Sequence, residues 1–544
     1  MERHRQLDPA RRPAAGALNR VIRWLCPLIV PLLAAEDADA IYRRGMDLAR
    51  ERRWSEARTA LASGSAAHPR DKRFPLELAG IAWKRDDLPT AKRHLRRALA
   101  LDSANAYANS FLASIYLLED NLEAALKFWN RTGQPELTTV QVAPGLRVQP
   151  ALLDGAFVFS PAATLQRRHY LASRARLDQL GIFPRYRFHL TPADGNSYTF
   201  HFQAAERNGF GSTAPDRFLN LLRGVFFQTV YPEYYNWRGR AINIESILRW
   251  DLQKQRARFS VAGPVDSNPG TRARLYLDAS RETWDISRTF RNAIPVDGLA
   301  LRRAAIGAEV RSIVSARWSR WTGVELSWRG LPNRALFGVA DNSAFAPGLA
   351  PSLHAGAAYS LLRVPDRRFT LAGESAIEAG KTLRRGLDPF VRLQTSLEAN
   401  WLPRSRGEDF AFNARLGAGK LLGDAPFDRL FQLGVERDND LWLRGHAGTA
   451  AGRKGNAPIG RQFVLANWEI DKEVYRGGFL TVAAGPMLDT GQVWDNRDEF
   501  GSSKWLIDTG LQCKIRLLTG ATLIFSWGKD LRSGRNTFYA RLGR

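Results

Sequence analysis

The residues best suited to a buried electrostatic role lie between Val435 and Gly491. Leu443-Arg444-Gly445-His446 sits in a long loop rich in glycine and charge. Further on come Glu469, in Asn467-Trp468-Glu469, and Asp489, in Met487-Leu488-Asp489-Thr490-Gly491. A guanidinium withdrawn from water needs a bidentate acceptor, and an unpaired one is costly. If strands on either side of the loop close into a tube, Arg444 is expected to bond Asp489, Glu469 or both. The chemistry is a non-covalent lock between a loop and a wall.

Patterns for covalent or cofactor chemistry are weak. Gly380-Lys381-Thr382 has the end of a phosphate loop, but Ser375 stands where its first glycine is required. Gly417-Ala418-Gly419 lacks the third glycine of a dinucleotide fingerprint. Neither G-x-S-x-G nor H-E-x-x-H occurs, and the eight His are scattered without metal-ligand spacing. We therefore assign no catalytic, cofactor-binding or metal residues from the sequence, and no cofactor.

The elements that would position the lock read as strands. Asn467, Glu469 and Asp471 share one face, opposite Val464, Ala466, Trp468 and Ile470. Val391 to Trp401 alternates apolar and polar over a length that lets a tilted strand cross a bilayer. Ile242 to Asp251, Arg272 to Ala279 and Ile507 to Leu517 alternate likewise, and Leu523, Phe525 and Trp527 close the series. An Arg on the lipid face would cost roughly 2–4 kcal/mol near mid-bilayer, so the charged sets must face inward and the apolar sets outward. Soluble sandwiches also alternate, but with shorter segments. The sixteen Trp, many at segment ends, and the segment spacing over residues 207–544 predict a transmembrane antiparallel β-barrel of about 16 strands.

Upstream, Trp24 to Ala35 is the only compact apolar run, preceded by Arg11, Arg12, Arg20 and Arg23. Residues 1–35 therefore read as a secretory signal peptide, cleaved after Ala35 or Ala40. Cys26 would leave with it and Cys513 would remain, which excludes a disulfide framework. The net charge of +25 loses six Arg and two acids with the signal and becomes +21. On an exported chain such charge suits anionic partners, including lipopolysaccharide phosphates. The Arg residues are spread along strands rather than gathered in a patch, so nucleic acid is not expected.

Residues 36–136 repeat at 34 residues. Gly45, Ala79 and Ala113 fall in register, as do Ala57, Ala91 and Ala125, with Leu61, Leu95 and Trp129 between layers. This resembles the tetratricopeptide repeat, an α-solenoid whose concave face takes a peptide or a protein partner. In residues 140–206, Leu146 to Leu153 reads as a strand and Leu165 to Leu180 as a helix. Two alternating strands follow, joined by a turn at Asp194-Gly195-Asn196. Leu180-Gly181-Ile182-Phe183, ending a helix ahead of a hairpin, resembles the polypeptide-transport-associated (POTRA) domain, a small α/β unit. By that resemblance the hairpin edge would bind extended polypeptide by strand addition.

With a signal, a POTRA-like unit and a barrel in that order, Leu443-Arg444-Gly445-His446 looks like the loop motif of the BamA/TamA-type barrels, the bacterial surface antigen family. Met487 to Gly491 resembles that family's F-x-D-x-G strand, and Asn467 to Glu469 its N-x-E strand. The resemblance implies a lock of Arg444 and Gly445 against Glu469, Asp489 and Gly491. It also implies a weak seam between a first strand near Val225 to Tyr231 and a last near Thr537 to Leu542. His446 stands for the usual Phe or Tyr, Met487 for Phe, and the chain ends in Arg544 rather than an aromatic residue. The function implied is a non-enzymatic outer-membrane barrel that inserts or translocates polypeptides, with the repeats and the POTRA-like unit in the periplasm. Its alternatives are a polysaccharide-export porin and a surface receptor or adhesin.

Overall fold

The computed structural model describes residues 37–194, 197–211, 224–287, 289, 290, 293, 294, 298–404, 407–495, 497, 500–517 and 522–543. The expected signal at 1–35, the turn residues Gly195 and Asn196, and Arg544 lie outside the described residues.

Six helices come first: α1 (Ala38–Arg50), α2 (Trp54–Ala67), α3 (Arg73–Lys84), α4 (Leu88–Leu101), α5 (Ala106–Leu118) and α6 (Leu122–Trp129). The first four belong to a compact unit ending at Ala108. There α1 packs on α2, α2 on α3 and α3 on α4, around Ile41, Leu61, Phe74, Leu78 and Ile81. Small residues let the axes approach: Ala57, Ala79 and Ala91 are fully buried, and a methyl on Gly45 would come 2.6 Å from Leu61.

The second unit runs from Asn109 to Arg544. Ala113 and Ala125 are buried in it, and Tyr116 of α5 stacks on Phe128 of α6. Helix α6 continues into a small α/β unit, where Trp129 is buried against Tyr198. That unit comprises β1 (Glu136–Val142), α7 (Pro150–Ala156), α8 (Arg167–Leu180), β2 (Arg185–Pro192) and β3 (Ser197–Ala205), in sheet order β1-β3-β2 with β1 parallel to β3. The reading of Leu146 to Leu153 as a strand is corrected. Pro150 opens a short helix, where its missing N–H costs nothing, and Leu152, Leu153 and Ala156 turn to one buried side. The third strand is instead Glu136–Val142. Phe157, Phe159, Phe183, Phe188, Phe200 and Phe202 pack edge-to-face or tilted in the core beneath the sheet.

Then follow β4 (Thr229–Val230), β5 (Glu233–Trp237), β6 (Ile242–Trp250), β7 (Lys254–Val265), β8 (Asn268–Trp284), β9 (Leu299–Ile313), β10 (Trp318–Gly330), β11 (Gly348–Val364), β12 (Phe369–Gly380), β13 (Phe390–Trp401) and β14 (Phe410–Leu422). A long loop carries β15 (Phe431–Gln432), β16 (Thr449–Ala450), β17 (Arg453–Lys454) and β18 (Ile459–Gly460). The chain finishes with β19 (Gln462–Arg476), β20 (Leu480–Trp494), β21 (Gly501–Leu517), β22 (Thr522–Asp530) and β23 (Asn536–Gly543).

These strands form one large sheet whose order brings β23 beside β4. The count differs from the expected sixteen. Of the eighteen segments in the order, β16 and β17 belong to the loop, and β4 and β5 are two pieces of one strand, both antiparallel to β6. Fifteen wall strands remain among the described residues, every consecutive pair antiparallel, so β23 runs in the same direction as β4. Gly209 exchanges two backbone hydrogen bonds with Tyr235 of β5, an isolated bridge. The expected first strand at Val225 to Tyr231 shrinks to Thr229–Val230. Val225–Phe227 is a 3-10 turn and Gln228 has φ +51°, which breaks the ladder.

The wall is apolar outside and ionic inside. Leu277, Ile306 and Leu326 lie side by side on three strands and are about half exposed on the outer face. Trp237, Trp250, Trp318, Trp401 and Trp527 are exposed in the same way. On the inner face Arg256 Nε donates to Asp278 at 2.9 Å and Arg303 Nη2 to Glu325 at 2.6 Å. No described helix is long and apolar enough to cross a membrane. At the end of the barrel away from the α/β unit, the connections pack into one apolar cluster that includes Phe290, Phe337, Phe345, Phe427, Phe431 and Phe500.

Candidate functional site: the loop in the barrel lumen

The loop between β14 and β19 folds into the barrel, because its charged tip finds partners only on the inner wall. Leu441 and Leu443 are buried in the apolar cluster and set the depth. Arg444 follows, 4 % exposed, against Asp489, which is wholly buried. Its Nε donates to Asp489 Oδ2 at 2.8 Å, Nη2 to Oδ1 at 2.6 Å, and its own backbone N–H to Oδ2 at 2.9 Å. Nη1 donates to Glu469 Oε2 at 2.9 Å and Gln512 Oε1 at 3.0 Å. The fork is thus bidentate to one acid and shared with a second, an arrangement that fixes position as well as charge.

The strands supply the supports. The Asn467 amide donates to Asp489 Oδ1 and to the Trp442 carbonyl, both at 2.7 Å. Lys514 joins Glu469 at 2.6 Å to Asp471 at 2.7 Å. Gly445 passes so close to the wall that a Cβ would stand 2.6 Å from the Asp530 nitrogen and 2.7 Å from Asp508 Cγ. Its N–H donates to Asp508 and its carbonyl accepts from Thr537 of β23. Gly491 gives the same room on β20, where a Cβ would meet the Val464 carbonyl at 2.8 Å and Leu433 at 3.3 Å.

Other parts of the loop reach other walls, contacts that strand alternation alone did not reveal. Asp438 accepts from Arg249 at 2.9 Å and Lys254 at 2.8 Å; Glu436 faces Lys454, which also faces Glu282. Arg329 Nε donates to Asp428 at 2.7 Å, and Arg429 reaches Glu325 at 2.7 Å and Glu378 at 3.0 Å. The run Glu436-Arg437-Asp438-Asn439-Asp440 was the available signal, but a charge run reads first as a solvated face.

The loop also touches both sides of the seam. Arg437 donates to Thr229 Oγ1 of β4 at 3.2 Å and to the Phe227 carbonyl. Arg541 lies 4.5 Å over the Trp442 ring, which packs against Tyr539; both partners are on β23.

Leu180, Gly181 and Phe183 stand apart from this lock, at the opposite end of the barrel. Gly181 ends α8 at φ +69°, a left-handed cap whose N–H donates to the Asp178 carbonyl. The Gln179 carbonyl then accepts from Arg272 at 2.8 Å and the Leu180 carbonyl from Asn243 at 3.1 Å, both on barrel strands. Phe183 packs on Phe202 within the small unit. A second tether joins α6 to the turn between β11 and β12: Arg363 chelates Glu123 at 2.6–2.8 Å and Lys127 reaches Asp366 at 2.5 Å.

No family model matches this chain, and no curated protein matches it. Solved structures do. CdiB from Escherichia coli is 12% identical with a TM-score of 0.50, over 75% of this chain and 76% of that one. BamA from Haemophilus ducreyi lacking POTRA domains 1–3 is 13% identical with a TM-score of 0.44, over 75% and 84%. CdiB from Acinetobacter baumannii is 12% identical with a TM-score of 0.45, over 75% and 73%. At this identity the likeness to the first is one of fold, that of a large antiparallel barrel.

Proposed function

We propose that this chain is an outer-membrane β-barrel that inserts or translocates polypeptides, receiving them through its repeat-like and POTRA-like domains in the periplasm. The observation that supports it best is the seam. The other wall strands pair over eight or more positions, whereas β4 and β5, next to β23 in the strand order, together pair with β6 at five, and the lumen loop grips both sides of this line through Arg437 and Trp442. A wall weak at one line and latched from within can admit an added strand without losing its other ladders. The apolar outer band and the Trp positions suit a bilayer and its lipopolysaccharide. The basic charge suits anionic headgroups, and the outer edge of β2, which pairs only with β3 among the described residues, suits an extended substrate. No covalent step and no cofactor enters this reading.

The lock residues Arg444, Gly445, Glu469, Asp489 and Gly491 would keep the loop seated while strands are exchanged. A polysaccharide-export porin needs an open lumen, and a loop braced to several walls beneath an apolar cap disfavours that reading.

The test is reconstitution. The chain is placed in liposomes, and an unfolded eight-stranded outer-membrane barrel is added as substrate. Heat-modifiable mobility reads the rate at which the substrate folds. The expected result is acceleration over empty liposomes, reduced by Arg444→Ala. Steady ion conductance without acceleration would overturn the proposal in favour of the porin.

A further inference from the structure

The acids that the loop meets form a row. Asp489 pairs across strands with Asp508, and Asp508 with Asp530, so β20, β21 and β22 present three aspartates side by side. All three are buried, with Asp489 and Asp508 at 0 % exposure. Like charges directly opposite on neighbouring strands repel, and burial strengthens the repulsion. Arg444 answers one of the three. Lys514 is committed to Glu469 and Asp471 on β19.

The remaining two acids face His446. Its Nδ1 lies 3.0 Å from Asp508 Oδ2 and its Nε2 3.6 Å from Asp530 Oδ2, so the ring stands between the carboxylates. The Gly445 N–H also binds Asp508 Oδ2, while the Arg532 N–H and the Ser533 hydroxyl bind Asp530. Asp508 Oδ1 is buried and has no hydrogen-bond partner among the described residues. A buried carboxylate oxygen without a donor, beside a second acid and an imidazole, calls for a cation.

We propose that His446, Asp508 and Asp530 bind a divalent first-row transition ion of the Zn2+ class, which fastens the loop tip to β21 and β22. One ligand atom from each residue can be chosen so that all lie within 4.8 Å of one another. Bonds of ~2.0–2.1 Å place tetrahedral ligand atoms roughly 3.3 Å apart, close to the present Nδ1–Oδ2 separation. One imidazole and two carboxylates suit zinc and its neighbours, whereas calcium and magnesium prefer all-oxygen sets. The ion would supply the positive charge that the row lacks and, held by both oxygens of Asp508, would also engage the unpartnered Oδ1. Sequence spacing could not show this cluster, because its members come from a loop and two strands. The inference stands on this geometry and does not depend on the transport reading.

The competing explanation is a protonated imidazole donating from both nitrogens. Metal content separates the two. The full chain, refolded in detergent and stripped with EDTA, is titrated with ZnCl2 near neutral pH by calorimetry, and bound zinc is counted after dialysis. We expect one Zn2+ per chain and a higher melting temperature with metal. His446→Gln and Asp530→Asn should each lower affinity ten-fold or more and abolish the melting shift, whereas Arg392→Ala should bind normally. The near-isosteric Asp530→Asn leaves the Arg444 contacts in place, and only the folded, heat-modifiable fraction is scored. Absence of stoichiometric zinc, or unchanged binding in the folded fraction of both variants, would overturn the proposal and leave the imidazolium as the latch.

Discussion

Replacing Arg444 with alanine removes four side-chain hydrogen bonds: two to Asp489, one to Glu469 and one to Gln512. Asp489 would keep the Asn467 amide and the loop N–H but lose its counter-charge while fully buried. Removing one partner of a buried pair typically costs about 3–5 kcal/mol. With about 1.4 kcal/mol per ten-fold, that shifts the unfolding equilibrium by roughly two to three and a half orders of magnitude. Arg392 is the control. Its guanidinium lies 4.4 Å over the Phe431 ring, a contact worth about 0.5–2 kcal/mol. Urea titration of each barrel in lipid, read by Trp fluorescence and heat-modifiable mobility, should rank Arg444→Ala well below Arg392→Ala. The double variant Arg444→Ala/Asp489→Asn should recover most of the loss, since it no longer strands a charge. Equal losses in the two single variants, or a strictly additive double variant, would refute the lock.

Other outcomes follow from the same contacts. Gly445→Ala puts a methyl against the Asp530 backbone, so the loop tip should lift at a cost of about 1–3 kcal/mol, seen as new protease cleavage within residues 436–456. Gly181→Ala forces a side chain into a left-handed cap and toward Arg272. About 1–2 kcal/mol of local stability should be lost, read as faster hydrogen exchange at the end of α8 with the barrel melt unchanged. Glu123→Ala leaves Arg167 and Arg363 facing each other without their acid. Because both are partly exposed, the cost should be about 1–3 kcal/mol, confined to exchange in α6 and in the β11–β12 turn.

How much of this was legible depended on whether a residue's partner lay along the chain or across it. A wall with oil outside and ions inside imposes a period of two. Val391 to Trp401 shows that period, and the strand there is Phe390–Trp401. Ala57, Ala79 and Ala91 were legible for a similar reason, since close approach of helices demands small residues there, and all three are fully buried. Leu146 to Leu153 misled because a seven-residue helix opened by Pro150 is too short to show its own period. Asp508 and Asp530 carried no local signal. Their pairing is a matter of register between strands, and their ligand His446 lies in a distant loop. The expected strands near Val225 to Tyr231 and Thr537 to Leu542 correspond to β4 and β23, but the brevity of β4 follows from the left-handed Gln228 and the turn before it, which alternation does not reveal.

Among the described residues, fifteen alternating strands leave β4 and β23 pointing the same way where the order closes. A guest lying between β4 and β23 would be antiparallel to both in one polarity and parallel to both in the other. Antiparallel ladders are slightly the more stable per residue, and here the preference counts twice. Under the proposed function, an opened seam would therefore sort guests by chain direction before any side chain is read, and a segment and its reversed sequence would not be equivalent. In that sense the odd count among the described strands would be a form of specificity written in topology rather than in residues.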